Sequence, residues 1–161
     1  MSARVTEHCP ILTGRAWAFG LGVTAELIVP RAHWGETAPG ALLMTAVDPE
    51  FPSLLARGDI LVGGGDFASG AIDDTPVRAI RDAGVGAVVA QAFDGCFARF
   101  AVELGLPAVA VNESLAIHTG ARLRIDLESL RVVNLSSGDR YPIRNLDDAL
   151  LERYRHALAR T

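Results

Sequence analysis

The sequence contains no lysine, because all 15 of its basic residues are arginine. A Schiff-base mechanism and the lysine-containing phosphate loop G-x-x-x-x-G-K-[ST] are therefore excluded. The net charge of −4 and the lack of a basic run along the chain argue against a nucleic-acid-binding protein. No apolar run approaches the roughly 18 residues that a membrane span needs, so we expect neither a transmembrane helix nor a signal peptide.

Cysteine is also scarce, with only Cys9 and Cys96 present. Two cysteines are too few for a cysteine-only metal site, and nothing in the sequence suggests a disulfide framework. We therefore predict no metal ligands in this chain and a reducing, cytoplasmic location. With 161 residues, half of them apolar, the chain is long enough to form one domain with its own core.

The densest pattern lies between residues 58 and 93. The apolar residues 60–62 predict a buried strand that ends at three consecutive glycines. Thr75, followed by a proline, predicts the N-cap of a helix, and residues 85–90 predict a second buried strand. In such a unit the loop after the first strand faces a ligand crevice. The loop at residues 66–75 is therefore the first candidate site.

Periodicity and turn residues predict the remaining elements. In chain order they are a loose arm at 1–13, two strand-like pieces at 17–19 and 27–29, an exposed loop at 31–39, a short helix at 40–47, a helix at 96–104, a strand at 107–111, a helical turn at 114–118, an antiparallel piece at 121–143, and an amphipathic helix at 147–160.

Five stretches of the chain follow one another in a recognisable order: GRAWAFGLGVTAELIVP, the segment from Asp48 to Phe51, GDILVGGGDF, AIRDAGVGAVVAQAF and FARFAVELGLP. In this order they resemble the small subunit of 3-isopropylmalate dehydratase, the swivel domain of the aconitase superfamily. The resemblance implies an α/β fold over residues 1–161. That fold is a swivelling β/β/α domain with strand–loop–helix units around a small mixed sheet and an antiparallel C-terminal piece. It also implies a larger partner subunit that holds a [4Fe–4S] cluster through three cysteines.

The sequence departs from that family in the loop after the glycines, which the family writes as G-C-G-S-S-R-E-H-A. A serine there removes a proton and the arginine grips the substrate carboxylate. Here Ala71 and Ile72 cannot take a proton, and Asp73 reverses the charge offered to the substrate. Another family arginine is lost at residues 92–96, although Arg99 matches a later one.

The candidate site residues come from this loop and its expected neighbours. Ser69, Asp73 and Asp74 are the candidate catalytic residues, and one of the two carboxylates would serve as acid or base. The candidate substrate-binding residues are Glu26, His33, Asp66, Thr75 and Arg99. The alternative is structural: acids at a helix start favour the helix dipole, Thr75 can be only a cap, and His33 can lie in a plain exposed loop.

Two hypotheses about function remain open at this stage. The first is the small subunit of an aconitase-type or isopropylmalate-dehydratase-like hydro-lyase or isomerase that acts on a non-standard hydroxy-acid substrate, with the cluster on its partner. The second is a swivel fold that has been repurposed as a stand-alone protein, with or without homo-oligomerisation. Such a protein would be either an iron-independent enzyme or a non-catalytic binding module.

Overall fold

Seven strands form one mixed sheet in the computed structural model, which describes residues 8–159. The strands are β1 (Leu12–Ala18), β2 (Ile60–Val62), β3 (Ala87–Ala90), β4 (Ala108–Ala110), β5 (Arg122–Asp126), β6 (Arg131–Asn134) and β7 (Arg140–Pro142). Their order across the sheet is β4-β3-β2-β1-β5-β6-β7. Strands β1 to β4 pair in parallel, and β1, β5, β6 and β7 pair antiparallel. This confirms the predicted α/β class and the antiparallel C-terminal piece.

The helices connect and cover the parallel strands. They are α1 (Ala25–Ile28), α2 (Phe51–Leu54), α3 (Thr75–Asp82), α4 (Gly95–Leu104) and α5 (Asp148–Ala159). Single 3₁₀ turns occur at Arg31–His33, Pro39–Leu42 and Ser114–Ala116. Helix α4 begins where the Asp94 carboxylate accepts hydrogen bonds from two backbone amides, and it ends at Gly105 in the left-handed conformation.

Both faces of the parallel half of the sheet are buried, as expected for strands that form continuous apolar runs. On β2, the side chain of Leu61 enters one hydrophobic cluster, whereas Ile60 and Val62 enter the other. Helices α3 and α4 contribute to the first cluster, and α5 contributes Leu151 and Tyr154 to the second. The parallel half of the sheet therefore separates two cores and presents its strand ends to solvent, whereas alternate residues of β5, β6 and β7 are exposed.

The start of β2 lies unusually close to β1. A Cβ placed on Gly14 would lie 2.1 Å from the carbonyl oxygen of Gly58, so no other residue fits there without a backbone shift. Beside this contact the buried carboxylate of Asp59 accepts hydrogen bonds from the Trp17 indole (2.8 Å) and from the Ala56 amide (2.9 Å). These contacts fix the relative position of the two central strands.

The free edge of β4 is closed by a side chain. The Ala110 amide donates to Oδ1 of Asn145 (2.8 Å), and Nδ2 of the same residue donates to the Ala108 carbonyl (3.0 Å). The Ala108 amide donates a hydrogen bond to the Tyr154 hydroxyl oxygen at 3.3 Å. An exposed strand edge is a template for pairing with another chain, and these groups occupy it.

Helix α5 is tied to the antiparallel strands through Glu128. Its carboxylate accepts two hydrogen bonds from the Arg155 guanidinium, at 2.7 and 2.9 Å, and one from the Cys9 amide at 2.8 Å. The hydrogen bond from Arg155 is the main cause that lowers the pKa of Glu128 to about 2. Burial, followed by the nearby Glu128 carboxylate, raises the pKa of the Cys9 thiol to about 11. Cys9 is therefore a protonated, packed residue.

Several predicted boundaries are wrong. Residues 12 and 13 of the predicted loose arm belong to β1, whereas residues 1–7 lie outside the described range. The predicted strand at 27–29 is the helical turn α1 followed by an extended residue, because the Thr24 hydroxyl caps that turn. The predicted helix at 40–47 is a 3₁₀ turn followed by further turns, and the C-terminal helix occupies Asp148–Ala159. The N-cap of α3 is Asp74 rather than Thr75.

The contact between Glu128 and Arg155 generates a pH-dependence prediction. Because the folded-state pKa of Glu128 lies below its unfolded value, the stabilisation is present above about pH 4.5 and is lost as the pH falls towards 2. Replacing Glu128 with Gln should lessen the fall in unfolding free energy between pH 7 and pH 3 by about 1 kcal/mol, after allowance for partial exposure. Urea denaturation at both pH values measures this.

The matched control for this prediction is Glu103→Gln, because Glu103 is exposed on α4 and has no side-chain partner in residues 8–159. This control should show the same fall as the unmodified chain. An equal fall in the Glu128→Gln variant would mean that Glu128 does not carry the acid sensitivity.

Candidate functional site

The loop after β2 is hydrogen-bonded to the loop after β1 at the carboxyl ends of the parallel strands. The Gly64 amide donates to the Gly20 carbonyl at 2.9 Å. Further along, the Ala68 amide donates to the Val23 carbonyl at 2.8 Å, and the Ala25 amide donates to the Ser69 carbonyl at 2.9 Å. These bonds hold the two loops together as one layer. In open α/β sheets ligands bind at this end of the strands.

The same loop is anchored on its other side to the loop after β3. The Phe67 amide donates to the Ala92 carbonyl, and the Asp94 amide donates to the Phe67 carbonyl, both at 2.9 Å. The Phe67 ring packs edge-on against Phe93 and Phe97, with ring centroids 5.8 and 5.6 Å away. The backbone around residues 67–69 is therefore fixed from both sides. Such a fixed backbone can hold side chains in one orientation towards a ligand.

Ser69 and Asp66 offer unengaged oxygens in this layer. The hydroxyl of half-buried Ser69 has no partner in residues 8–159, although its backbone amide and carbonyl are both bonded. Asp66 is exposed, and its carboxylate likewise has no partner in that range. Asp66 adopts a φ of 52°, a left-handed conformation that aspartate tolerates better than most residues. Both side chains are available to a ligand.

The next three candidates take part in local hydrogen bonds. Asp73 accepts the Thr75 amide at 2.9 Å through Oδ1, which leaves its Oδ2 without a partner in the described chain. The Asp74 carboxylate accepts the Nε donor of Arg78 at 2.9 Å. Thr75 is fully buried, and its hydroxyl accepts from the Gly35 amide at 3.0 Å. Asp74 and Thr75 therefore already have partners within the chain.

Arg78 fastens the loop at residues 31–37 to the start of α3. Besides the bond to Asp74, its Nη1 donates to the carbonyls of Glu36 (2.6 Å) and Thr37 (3.3 Å). We call the three residues Asp74, Thr75 and Arg78 the α3 clamp, because the Arg78 guanidinium and the Thr75 hydroxyl bind this loop. Sequence analysis missed Arg78, although its spacing of four residues from Asp74 is typical of a helical ion pair.

Two further candidates lie in or beside the clamped loop. Nδ1 of His33 lies 2.6 Å from Oε2 of Glu36. Glu26 lies in α1, and its carboxylate pairs with Arg31 at 3.4 Å. The predicted plain loop is therefore an ordered turn packed over α1 and α3. The structure gathers Glu26, His33 and Thr75 in this region.

Arg99 lies on α4, the helix that follows β3, rather than in the loop at 66–75. It is exposed on α4, with its guanidinium 5.0 Å from the centre of the Phe100 ring. It lines a cavity of about 480 Å³ between α4, β4 and α5, together with Arg153 and Tyr154. Within the described chain no hydrogen bond or ion pair connects it to the loop at 66–75.

Sequence analysis also missed an apolar rim around this end of the sheet. Leu21, Ile72 and Leu115 are exposed by 69%, 69% and 44%. A Cβ on Gly64 would lie 2.6 Å from Leu21 Cδ2 and 3.3 Å from Leu115 Cδ2, so these two side chains cover the same point of the glycine loop. Exposed apolar side chains that cluster in this way are typical of interaction surfaces.

No group of three or more His, Cys, Asp or Glu side chains that could hold a metal ion occurs in residues 8–159. Over the same residues no helix has the length and apolar character needed to cross a membrane. The mixed sheet, with its loop-bearing carboxyl ends and antiparallel C-terminal strands, defines an α/β domain of the swivel type.

Comparison with known proteins identifies the family. A 3-isopropylmalate dehydratase small subunit from Nautilia profundicola is 34% identical over 145 residues, which is 88% of this chain and 87% of that protein. An isopropylmalate/citramalate isomerase small subunit from Methanocaldococcus jannaschii is 32% identical, covering 88% and 87% of the two chains. A crystal structure of a 3-isopropylmalate dehydratase from M. jannaschii superposes with a TM-score of 0.83 at 28% identity, covering 93% and 89%. No protein-family model matches the chain.

The chain therefore belongs to the family of 3-isopropylmalate dehydratase small subunits, which confirms the resemblance inferred from its motifs. A methanogen homoaconitase small subunit from Methanothermobacter thermautotrophicus, 32% identical over 144 residues, shows that relatives carry several activity names. The chain is a subunit of the lyase or isomerase type.

The α3 clamp generates a testable prediction about the loop at 31–37. In a Thr75→Val variant the buried volume is nearly unchanged, but the Gly35 amide loses its acceptor. Because a hydrogen bond of this kind contributes about 1 kcal/mol, hydrogen exchange at the Gly35 amide should rise by roughly five- to tenfold. NMR-detected exchange in the native state measures it.

The Thr75→Ser variant is the matched control, since it keeps the hydroxyl and removes only a methyl group. Its Gly35 amide should exchange more slowly than that of Thr75→Val. If serine and valine gave the same exchange rate at Gly35, the hydroxyl would not be what holds this loop.

Proposed function

We propose that this chain is the swivel subunit of an aconitase-type hydro-lyase or isomerase that acts with a larger partner subunit on a hydroxy acid other than the usual dicarboxylate. The family membership supports the reaction class and the division into subunits. The altered side chains of the glycine loop support the change of substrate. The proposal rests on one observation, which is the chemistry of residues 71–73 in a loop that shares only Gly70 with the family pattern.

The loop keeps its scaffold but presents different groups. Ala71 is buried and Ile72 is 69% exposed. Asp73 is half-buried, and its Oδ2 has no partner in the described chain. An arginine can hold a substrate carboxylate in a bidentate geometry, whereas an aspartate repels it. The substrate should therefore carry fewer negative charges near this position than a dicarboxylate does, and an apolar group can contact Ile72.

Proton transfer is assigned to Ser69, Asp73 and Asp74. Ser69 and Asp73 have oxygens without a partner in the described chain, and the backbone at Ser69 is fixed by the neighbouring loops. Asp74 is held by Arg78, so proton transfer by this carboxylate requires a change in that ion pair. Asp66, Glu26, His33, Thr75 and Arg99 are assigned to substrate binding or to the shape of the site.

A [4Fe–4S] cluster, if used, belongs on the partner. The thiol of Cys9 is packed beside Glu128, and Cys96 lies half-buried on α4, so the two cysteines are not a ligand set. The cluster would supply a Lewis acid for the departing hydroxyl. This chain would then orient the substrate and exclude water. The apolar rim at the same end of the sheet supports a partner that covers it.

A second candidate function is a stand-alone swivel-fold protein, either an iron-independent enzyme or a non-catalytic binding module. The α3 clamp favours it. Two of the predicted site residues, Asp74 and Thr75, are engaged in holding a loop rather than left open to a ligand. The two candidates differ in whether activity requires a second chain.

Co-expression with a large subunit that contains three cluster-ligating cysteines tests the partner. The two chains should co-purify, and the pair should dehydrate one of a panel of 2-hydroxy acids, detected by the ultraviolet absorbance of the new double bond. Leu21→Asp, in the exposed rim, should weaken co-purification, whereas Ile11→Asp, which directly precedes β1 at the opposite end of the sheet, should not. An active, iron-independent monomer would establish the second candidate instead.

Substitution of the three candidate catalytic residues tests the site. Ser69→Ala, Asp73→Asn and Asp74→Asn should each lower the turnover of the active assembly by about two orders of magnitude, as expected for an acid or base. The free energy of unfolding should change little for Ser69→Ala, because its hydroxyl has no partner in residues 8–159. Asp148→Asn is the control, since this exposed aspartate starts α5 far along the chain. Full activity in all three variants would remove the proposed site.

A further inference from the structure

A second cavity, of about 620 Å³, lies at the amino ends of the parallel strands. It is lined by the residues just before β2, β3 and β4, including Gly58, Gly86 and Leu106, and by the last turn of α3. The loop at 66–75 lies at the carboxyl ends of the same strands. This cavity, which we call the basic groove, therefore opens at the opposite end of the strands from that loop, and Arg78 is the residue that the groove shares with the α3 clamp. Its volume lies within the range of about 300–1,000 Å³ that is typical of small-molecule sites.

The basic groove is lined by three arginines and by one acidic residue. They are Arg57, Arg78 and Arg81, and the acid is Asp82, whose carboxylate accepts the Gly40 amide at 2.9 Å. Arg57 and Arg81 are exposed, and neither makes a side-chain hydrogen bond or ion pair within residues 8–159. Two guanidinium groups are thus free to bind an anion, in a chain whose net charge is −4.

The helix dipole accounts for only part of this arrangement. Helix α3 ends at Asp82, and a cation such as Arg81 in its last turn is favourable. However, Arg57 lies in the loop before β2 and not in a helix, and the Arg81 side chain bonds no carbonyl of the described chain. Val85 and Leu104 also line the groove, so part of its wall is apolar. Positive charge around a partly apolar cavity is an arrangement suited to a small organic anion.

We propose that the basic groove binds a small oxyanion with two or more negative charges, such as a phosphate ester or a polycarboxylate. Guanidinium groups bind phosphate and carboxylate oxygens in pairs, which gives both strength and orientation. Arg78 connects this groove to the α3 clamp, because the same guanidinium binds the carbonyls of Glu36 and Thr37. An anion that reaches Arg78 competes with those carbonyls for its donors.

Isothermal titration calorimetry on the full chain at low ionic strength tests the proposal, with pyrophosphate and propane-1,2,3-tricarboxylate as the two probes. At least one probe should bind with one-to-one stoichiometry. The double variant Arg57→Gln/Arg81→Gln should weaken that binding by tenfold or more, because it removes two charge-assisted contacts. Neither side chain has a partner to lose in residues 8–159, so the thermal midpoint should be unchanged.

The matched control is Arg122→Gln/Arg124→Gln. These two arginines are exposed on β5, lack side-chain partners in the described chain, and give the same change in net charge. Affinity should remain within about twofold of the unmodified chain. Binding of pyrophosphate alone would identify a phosphate site, and binding of the tricarboxylate alone a carboxylate site. The proposal is overturned if neither probe binds, or if the two double variants lose affinity equally.

Discussion

Two backbone hydrogen bonds, one between Ala68 and Val23 and one between Ala25 and Ser69, hold the candidate site together. They form only because β1 and β2 are parallel neighbours whose following loops leave the sheet side by side. The bond from the Gly64 amide to the Gly20 carbonyl, at 2.9 Å, adds a third link between the same two loops. The backbone position of Ser69 follows from this pairing of loops. The family relationship fits this constraint, because a loop can change its chemistry while its backbone contacts remain.

The arrangement of the core was predictable from the sequence because it depends on short-range pattern. Continuous apolar runs at β2 and β3 indicated strands buried on both faces, and alternation after Ala121 indicated the antiparallel strands. The run at 27–29 was misassigned because three apolar residues do not distinguish a strand from a helical turn. The hydrogen bond from the Leu27 amide to the Thr24 hydroxyl, with the backbone bonds from Ile28 and Val29, makes it a helical turn. The family resemblance located the glycine loop, but whether its side chains act in catalysis stays a prediction.

Features that depend on several distant segments were not predictable in this way. Arg57 and Arg81 lie in different elements, and no cluster of basic residues is visible along the sequence. They line the same cavity only because the loop before β2 and the end of α3 lie at one end of the sheet. Arg99 likewise shares a cavity with Arg153 and Tyr154 only because α4 packs against α5. Local pattern specifies which elements form, and the order of strands in the sheet determines which side chains meet.

The exclusive use of arginine has a structural consequence at the start of α3. A single guanidinium at Arg78 donates to Asp74, to the Thr75 hydroxyl and to two carbonyls of the preceding loop. A lysine ammonium has three donors on one atom and could not span these acceptors, because they lie in different directions around a planar fork. The family loop has an arginine that grips substrate at the position of Asp73. In this chain the nearest guanidinium is instead five residues further on and binds the chain's own loop. Asp73 stands where the family has its anion clamp, and four hydrogen bonds within the chain engage the guanidinium of Arg78. The loop at 66–75 therefore contains no arginine of its own that could hold a dicarboxylate. The unengaged arginines that line the basic groove are at the other end of the same strands, so the fold keeps its capacity to bind anions but in a different place.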